Sequence, residues 1–240
     1  MLYFYTGTPG SGKSVHMASV IHESIYKGIN VIANFEINEH YFDKAKHPER
    51  LGKFIHVPNR QWMENAYTTR QAYDPVRDVY FRGTVPDNHY TYLDGLYSFA
   101  LQFHARDKKG RIIEHQTIVV LDECQELLNN RTWAKKDRAE WISFFREHRK
   151  YGFDVYLISQ DDNVIDKQVR NVLQYKVEHR SVKNYKTAGK LLAFLNGGQL
   201  FVWILSNYQI RGKDGRICSE FYTGKKFYDF YNSYQTFHTG

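Results

Sequence analysis

Eight consecutive residues near the amino terminus, Gly7-Thr8-Pro9-Gly10-Ser11-Gly12-Lys13-Ser14, fit the pattern G-x-x-x-x-G-K-[ST] at every fixed position. The motif constrains the fold because it works only between a strand and a helix. Before it runs Leu2-Tyr3-Phe4-Tyr5-Thr6, apolar and β-prone, and after it Val15 to Tyr26 carries Ala18, Ile21 and Ile25 at three- and four-residue spacing, with Lys27-Gly28 as a stop. Glycines let consecutive backbone N–H groups turn inward around a polyphosphate, and the following helix aims its positive end at the same anion. Lys13 is expected to reach the β and γ phosphates of ATP and the Ser14 hydroxyl to ligate Mg²⁺.

A second landmark is Thr117-Ile118-Val119-Val120-Leu121-Asp122-Glu123, a continuous apolar run that ends in two carboxylates. Buried parallel strands have this composition, and ligands of open α/β sheets bind beyond the carboxyl ends of their strands. Asp122 is thus the candidate second holder of Mg²⁺, and Glu123 the candidate general base that activates a water. Phe153 to Ser159 is a further strand, and Gln160 at its end stands where a γ-phosphate sensor would; a strand-end amide that only hydrogen-bonds is the other reading.

Between these landmarks the pattern predicts strands at Asn30–Asn34 and Phe54–Val57, a short helix and loop within Asn38–Leu51, and a helix over Tyr90–His104. Asn59 to Gln116 reads as an insertion between sheet elements, too aromatic for a disordered linker. Asp137–Tyr151, closed by Gly152, and Asp162–Leu173 read as helices, and Tyr175–His179 as a strand. Leu200–Asn207 and Ile217–Tyr222 form a hairpin pair around Lys213-Asp214-Gly215. The expected organisation is a core over residues 1–182 with the insertion at 59–116, followed by a basic, aromatic-rich extension over 183–240.

Composition adds three limits. Two cysteines, Cys124 and Cys218, make no disulfide framework, and eleven His lack metal-site spacing, so no structural metal is expected. The chain begins inside its first strand, so no signal peptide is read, and no run reaches the roughly 20 apolar residues of a membrane span. The net charge of +7 is uneven, because Lys167 to Lys226 is strongly basic while the remainder is slightly acidic. A basic third invites an anionic partner, either nucleic acid or a membrane surface, although an ordinary solvated face has the same composition. The tail interleaves Tyr222, Phe227, Tyr228, Phe230, Tyr231 and Tyr234 with Lys225 and Lys226; these rings could stack bases of single-stranded nucleic acid, lie at a membrane interface, or pack on the domain.

The loop, Val120-Leu121-Asp122-Glu123-Cys124-Gln125 and Glu147 to Gln160 together resemble the Zot (zonula occludens toxin-like) family, assembly ATPases of filamentous phages within the FtsK/HerA division of P-loop motors. The resemblance implies a RecA-like α/β fold with a mainly parallel central sheet flanked by helices, the strand ending at Gln160 lying between the loop strand and the Asp122 strand. It implies an ATP-hydrolysing motor for phage assembly and export through the bacterial inner membrane, working from the cytoplasmic face on coat proteins, single-stranded phage DNA or both. It also implies a homo-oligomeric ring whose sites are completed by a neighbour's arginine, with Arg149 and Arg170 as candidates, and a transmembrane segment beyond the ATPase domain that this sequence lacks. The adjacent Asp122-Glu123 pair favours water as acceptor, hence hydrolysis over phosphoryl transfer to a small molecule. A toxin-like host-interaction protein, with structural or regulatory nucleotide binding, is the alternative.

Overall fold

The computed structural model describes residues 1–59, 62, 72–74, 79–81, 92–128, 135–185, 199–210 and 212–230. Strands β1 (Leu2–Thr6), β2 (Asn30–Ala33), β3 (Phe54–His56), β6 (Thr117–Leu121), β7 (Phe153–Ile158), β8 (Tyr175–Ser181), β9 (Leu200–Asn207) and β10 (Arg216–Thr223) form one eight-stranded sheet; β4 (Ala72–Asp74) and β5 (Val79–Phe81) pair antiparallel with each other. The order of the large sheet is β10-β9-β8-β1-β7-β6-β2-β3. From β8 to β3 every pairing is parallel, and β9 and β10 add an antiparallel ribbon at one edge. This is an α/β fold whose loop strand, β1, is separated from the Asp122 strand, β6, by β7, as the resemblance implied.

Side-chain alternation along the central strands explains why they are apolar on both faces. Leu2, Phe4, Val119, Leu121, Val155 and Leu157 point into one core, whereas Tyr5, Ile118, Val120 and Ile158 point into the other. Helix α1 (Lys13–Tyr26) covers the second face with Met17, Ala18, Ile21 and Ile25, a helical stripe, and ends where Gly28 takes φ 77°. The first face is covered by α2 (Tyr92–Phe103), through Leu93, Leu96 and Ala100, and by α3 (Lys135–Glu147), through Trp141, Ile142, Phe144 and Phe145. The segment expected as an insertion thus supplies a core helix at its carboxyl end. Tyr90 and most of 60–91 lie outside the described residues.

Two expected helices are shorter than their patterns. The α3 helix gives way to a 3₁₀ turn over His148–Tyr151, where the His148 ring donates to the Phe145 carbonyl at 2.8 Å and competes with the backbone ladder. Within Asp162–Leu173 the chain makes a 3₁₀ turn, Asp162–Val164, then a single-turn helix α4 (Lys167–Arg170), because the Asp166 carboxylate accepts from the Gln168 N–H and starts a new helix. In place of a helix within Asn38–Leu51 stand two 3₁₀ turns, Glu39–Phe42 and Pro48–Arg50.

The predicted hairpin is β9–β10, and it extends the main sheet through β8. Behind it the chain folds back over α1. Phe230 is fully buried in the α1 core and its carbonyl accepts from the Asn38 N–H at 2.7 Å, while Phe227 stacks edge-on against His22. Packing is therefore the use made of Phe227 and Phe230. Tyr231 and Tyr234, like Leu191 to Gly198, lie outside the described residues.

Candidate nucleotide site

The loop Gly7–Gly12 joins the carboxyl end of β1 to the first turn of α1, with Gly7, Gly10 and Gly12 at φ 147°, 71° and 95°. At Gly12 two demands coincide: the backbone is left-handed, and a Cβ would meet the Tyr222 hydroxyl at 2.5 Å and the Phe201 ring at 2.7 Å. Helix α1 begins with no side-chain cap and no acidic residue in its first turn. Its first N–H groups are thereby left without a side-chain acceptor, an arrangement in which a helix start can take an anion. The Ser11 hydroxyl is buried without a hydrogen-bond partner. Lys13 is nearly buried and donates to the carbonyls of Gly7 at 2.6 Å and Thr8 at 3.4 Å, oxygens that a polyphosphate would replace. Burial lowers the Lys13 pKa, while Asp122 and Glu123 pull it back upward.

Asp122, 5% exposed, directly follows β6 and is fixed by an amide clamp from Asn34, the residue directly after β2. Asn34 accepts from the Asp122 N–H at 2.7 Å and donates to the Asp122 carbonyl at 2.8 Å and to Asn59 at 2.7 Å; Asn59 donates in turn to Glu126 at 2.7 Å. Glu123 then adopts φ 47°, ψ 44°, a left-handed conformation uncommon for a residue with a side chain. Its carboxylate accepts from the Gln125 side chain, and the Glu123 N–H donates to Asp122 at 2.9 Å. Gln160 is exposed just beyond β7, and its carbonyl accepts from the Thr6 hydroxyl at 3.0 Å, so the ends of β1 and β7 are joined beside the loop.

The structure thus brings Gly7 to Ser14, Asp122, Glu123 and Gln160 to the carboxyl ends of three adjacent strands. Arg149 and Arg170 are elsewhere. Arg149 lies in the 3₁₀ turn that leads into the amino end of β7 and forms a two-point pair with Glu114 at 3.0 and 3.1 Å; Arg170 lies in α4 before β8 and donates to Asn163 at 3.1 Å. Neither adjoins the loop of its own chain. Asn34, Asn59, Phe201 and Tyr222 were missed as site residues. Only Asn34 carried a signal, as the polar residue that ends an apolar strand in the manner of Asp122. Among the described residues no group of three or more His, Cys, Asp or Glu is gathered as a metal cage, and no helix is long and apolar enough to cross a membrane. Cys124 and Cys218 are free thiols.

Residues 98–188 match the family model described as Zonular occludens toxin (Zot), a span that holds Asp122, Glu123, Arg149, Gln160 and Arg170. The gene 1 protein of Enterobacteria phage I2-2 is 26% identical over 243 aligned residues, covering 98% of this chain and 57% of that protein. The gene 1 protein of Enterobacteria phage f1 is 23% identical, covering 98% and 60%. The chain spans less than two thirds of the length of these relatives. Among solved structures, the N-terminal domain of zonular occludens toxin from Neisseria meningitidis aligns over 96% of this chain and 98% of that one, with 16% identity and a TM-score of 0.49. The α/β assignment stands on the strand order alone. This chain is thus similar to the Zot family model over residues 98–188 and to the gene 1 proteins of these phages over nearly its whole length.

Proposed function

We propose that the chain is the ATPase motor domain of a phage assembly protein. The observation that carries this reading is the strand order β1-β7-β6, in which the Lys13 loop and the Asp122-Glu123 pair both follow the carboxyl ends of parallel strands with a single strand between them. Lys13 neutralises the phosphates, the loop N–H groups bind them, and Glu123 takes the proton of the attacking water. The uncapped helix start and the unpartnered Ser11 hydroxyl fit a bound polyphosphate. Ser14 and Asp122 fit Mg²⁺, since that ion is held by few protein oxygens together with phosphates and water. When bound, it supplies charge neutralisation across the transferred phosphate. Gln160 reads the γ-phosphate, and Arg149 or Arg170 completes the site of a neighbouring copy in a ring.

The gene 1 relatives support placing this activity in virion assembly and export, at the cytoplasmic face of the inner membrane, with coat protein and single-stranded phage DNA as candidate cargo. Steady-state ATP hydrolysis with Mg²⁺, at high protein concentration, with and without single-stranded DNA and at two salt concentrations, tests the reading. Turnover that rises with DNA and falls with salt is expected for a DNA-coupled motor. Nucleotide binding without turnover under every condition would sink the claim that this domain hydrolyses ATP by itself.

A further inference from the structure

Two imidazoles stand behind the loop on the face that α1 covers, and no step of the proposed hydrolysis uses them. His179 on β8 is 1% exposed, and His16 lies in the first turns of α1. The His16 Nδ1 is 2.8 Å from the His179 Nε2, and the His179 Nδ1 is 3.2 Å from the Thr6 carbonyl oxygen. A carbonyl can only accept, so the His179 Nδ1 carries a proton. Burial, at 1% exposure, disfavours a second proton on the His179 ring and holds it well below its ordinary value. His179 is therefore neutral and accepts at Nε2, and His16 donates to it from Nδ1.

This chain of bonds reaches the site at two points. Thr6 is the last residue before Gly7, and its hydroxyl donates to the Gln160 carbonyl at 3.0 Å. On the other side, the His16 ring stacks on Tyr5 at 5.2 Å and on Trp203 of β9 at 5.3 Å, with Tyr222 of β10 also at 5.3 Å. Lys13, Tyr5 and Tyr222 are the titratable groups that face the pair.

We propose that His179, with His16 behind it, is a positioning residue of the nucleotide site: the pair fixes the Thr6–Gly7 entrance to the loop and the Gln160 strand end, and ties both to the β9–β10 hairpin. The role rests on the reading that the loop binds a nucleoside triphosphate. The local chemistry suits it, because a buried neutral imidazole at His179 holds the Thr6 carbonyl without bringing a second charge beside Lys13.

The test uses His179→Asn, whose side-chain N–H reproduces the Nδ1 donor, against His179→Ala, which removes it. With both variants folded by circular dichroism, His179→Ala should weaken Mg-ATP binding about tenfold and His179→Asn should recover most of that loss. Equal losses in the two variants would reduce His179 to packing and overturn the role. Independently of any nucleotide, ¹⁵N spectra of histidine-labelled wild-type protein at pH 7 should show a neutral His179 protonated at Nδ1. A Nε2–H tautomer or a doubly protonated ring would overturn the geometry even if both variants failed to fold. Absence of nucleotide binding by the wild type would instead remove the proposed function and the positioning role together, while the tautomer would stand as measured.

Discussion

The Tyr222 hydroxyl donates to the Gly12 carbonyl at 2.7 Å, so the last strand of the sheet holds the last glycine of the Gly7–Gly12 loop. Phe201 and Tyr222 form a wall against that glycine, and Gly224 packs against Val15 one turn along α1. The basic, aromatic extension that could have been a separate binding arm is in part the buttress of the site.

This wall gives a paired prediction. Gly12→Ala sets a methyl into Tyr222 and Phe201 at a left-handed position and should cost about 3 kcal/mol of stability. Gly10→Ala, at φ 71° with nothing within 4 Å, should cost only about 1 kcal/mol. Chemical denaturation compares the two, and equal costs would mean that the wall does not press on the loop.

Lys13→Ala removes a nearly buried cation whose charge-assisted bonds to phosphate are worth about 1.5–3 kcal/mol. Affinity for ATP should fall about 10- to 100-fold, read by calorimetric titration. Unchanged affinity would detach Lys13 from the phosphates.

Glu123→Gln keeps the shape of the side chain and removes the base. ATP binding should persist while turnover drops by about 10² to 10⁴. Hydrolysis retained by the purified variant would take Glu123 out of the role assigned to it.

Stability should fall as the medium is acidified below about pH 6.5. His16 and His148 are pushed down to about 4 and His104 and His179 are also lowered, in each case first by burial. Each ring is neutral in the folded chain over a range where it is protonated in the unfolded one, so the unfolded state binds more protons as pH drops from 6.5 toward the folded value. The slope is at most about 1.4 kcal/mol per pH unit for each ring within its window. Urea midpoints at pH 7.5, 6 and 5 follow it, and a flat profile would contradict the burial of these rings.

Phe230→Ala tests the tail. The ring is fully buried against α1, and its loss should cost about 3–5 kcal/mol. A change under 1 kcal/mol would show that the tail is not docked in solution.

The landmarks of the site were legible because each is local. The loop is a run of consecutive N–H groups, so its glycine spacing is written in adjacent residues, and Asp122-Glu123 announces itself as two charges ending a strand with no polar interior. The helical stripe of α1 and the hairpin register follow from short-range periodicity for the same reason. Helix limits were less legible where a side chain competes with the backbone, as His148 and Asp166 do.

What joins these parts is written at no single place in the chain. His16 and His179 are 163 positions apart, Asn34 and Asp122 are 88, and Gly12 and Tyr222 are 210. Each of these bonds depends on which strands become neighbours, and a strand's apolar pattern states that it is buried without stating beside what. By itself, the sequence determined that a phosphate loop and an acidic strand end are present. The family resemblance implied that β7 lies between them; only the tertiary structure decided that the asparagine just beyond β2 clamps the acid, and that an imidazole pair and an aromatic hairpin stand behind the loop.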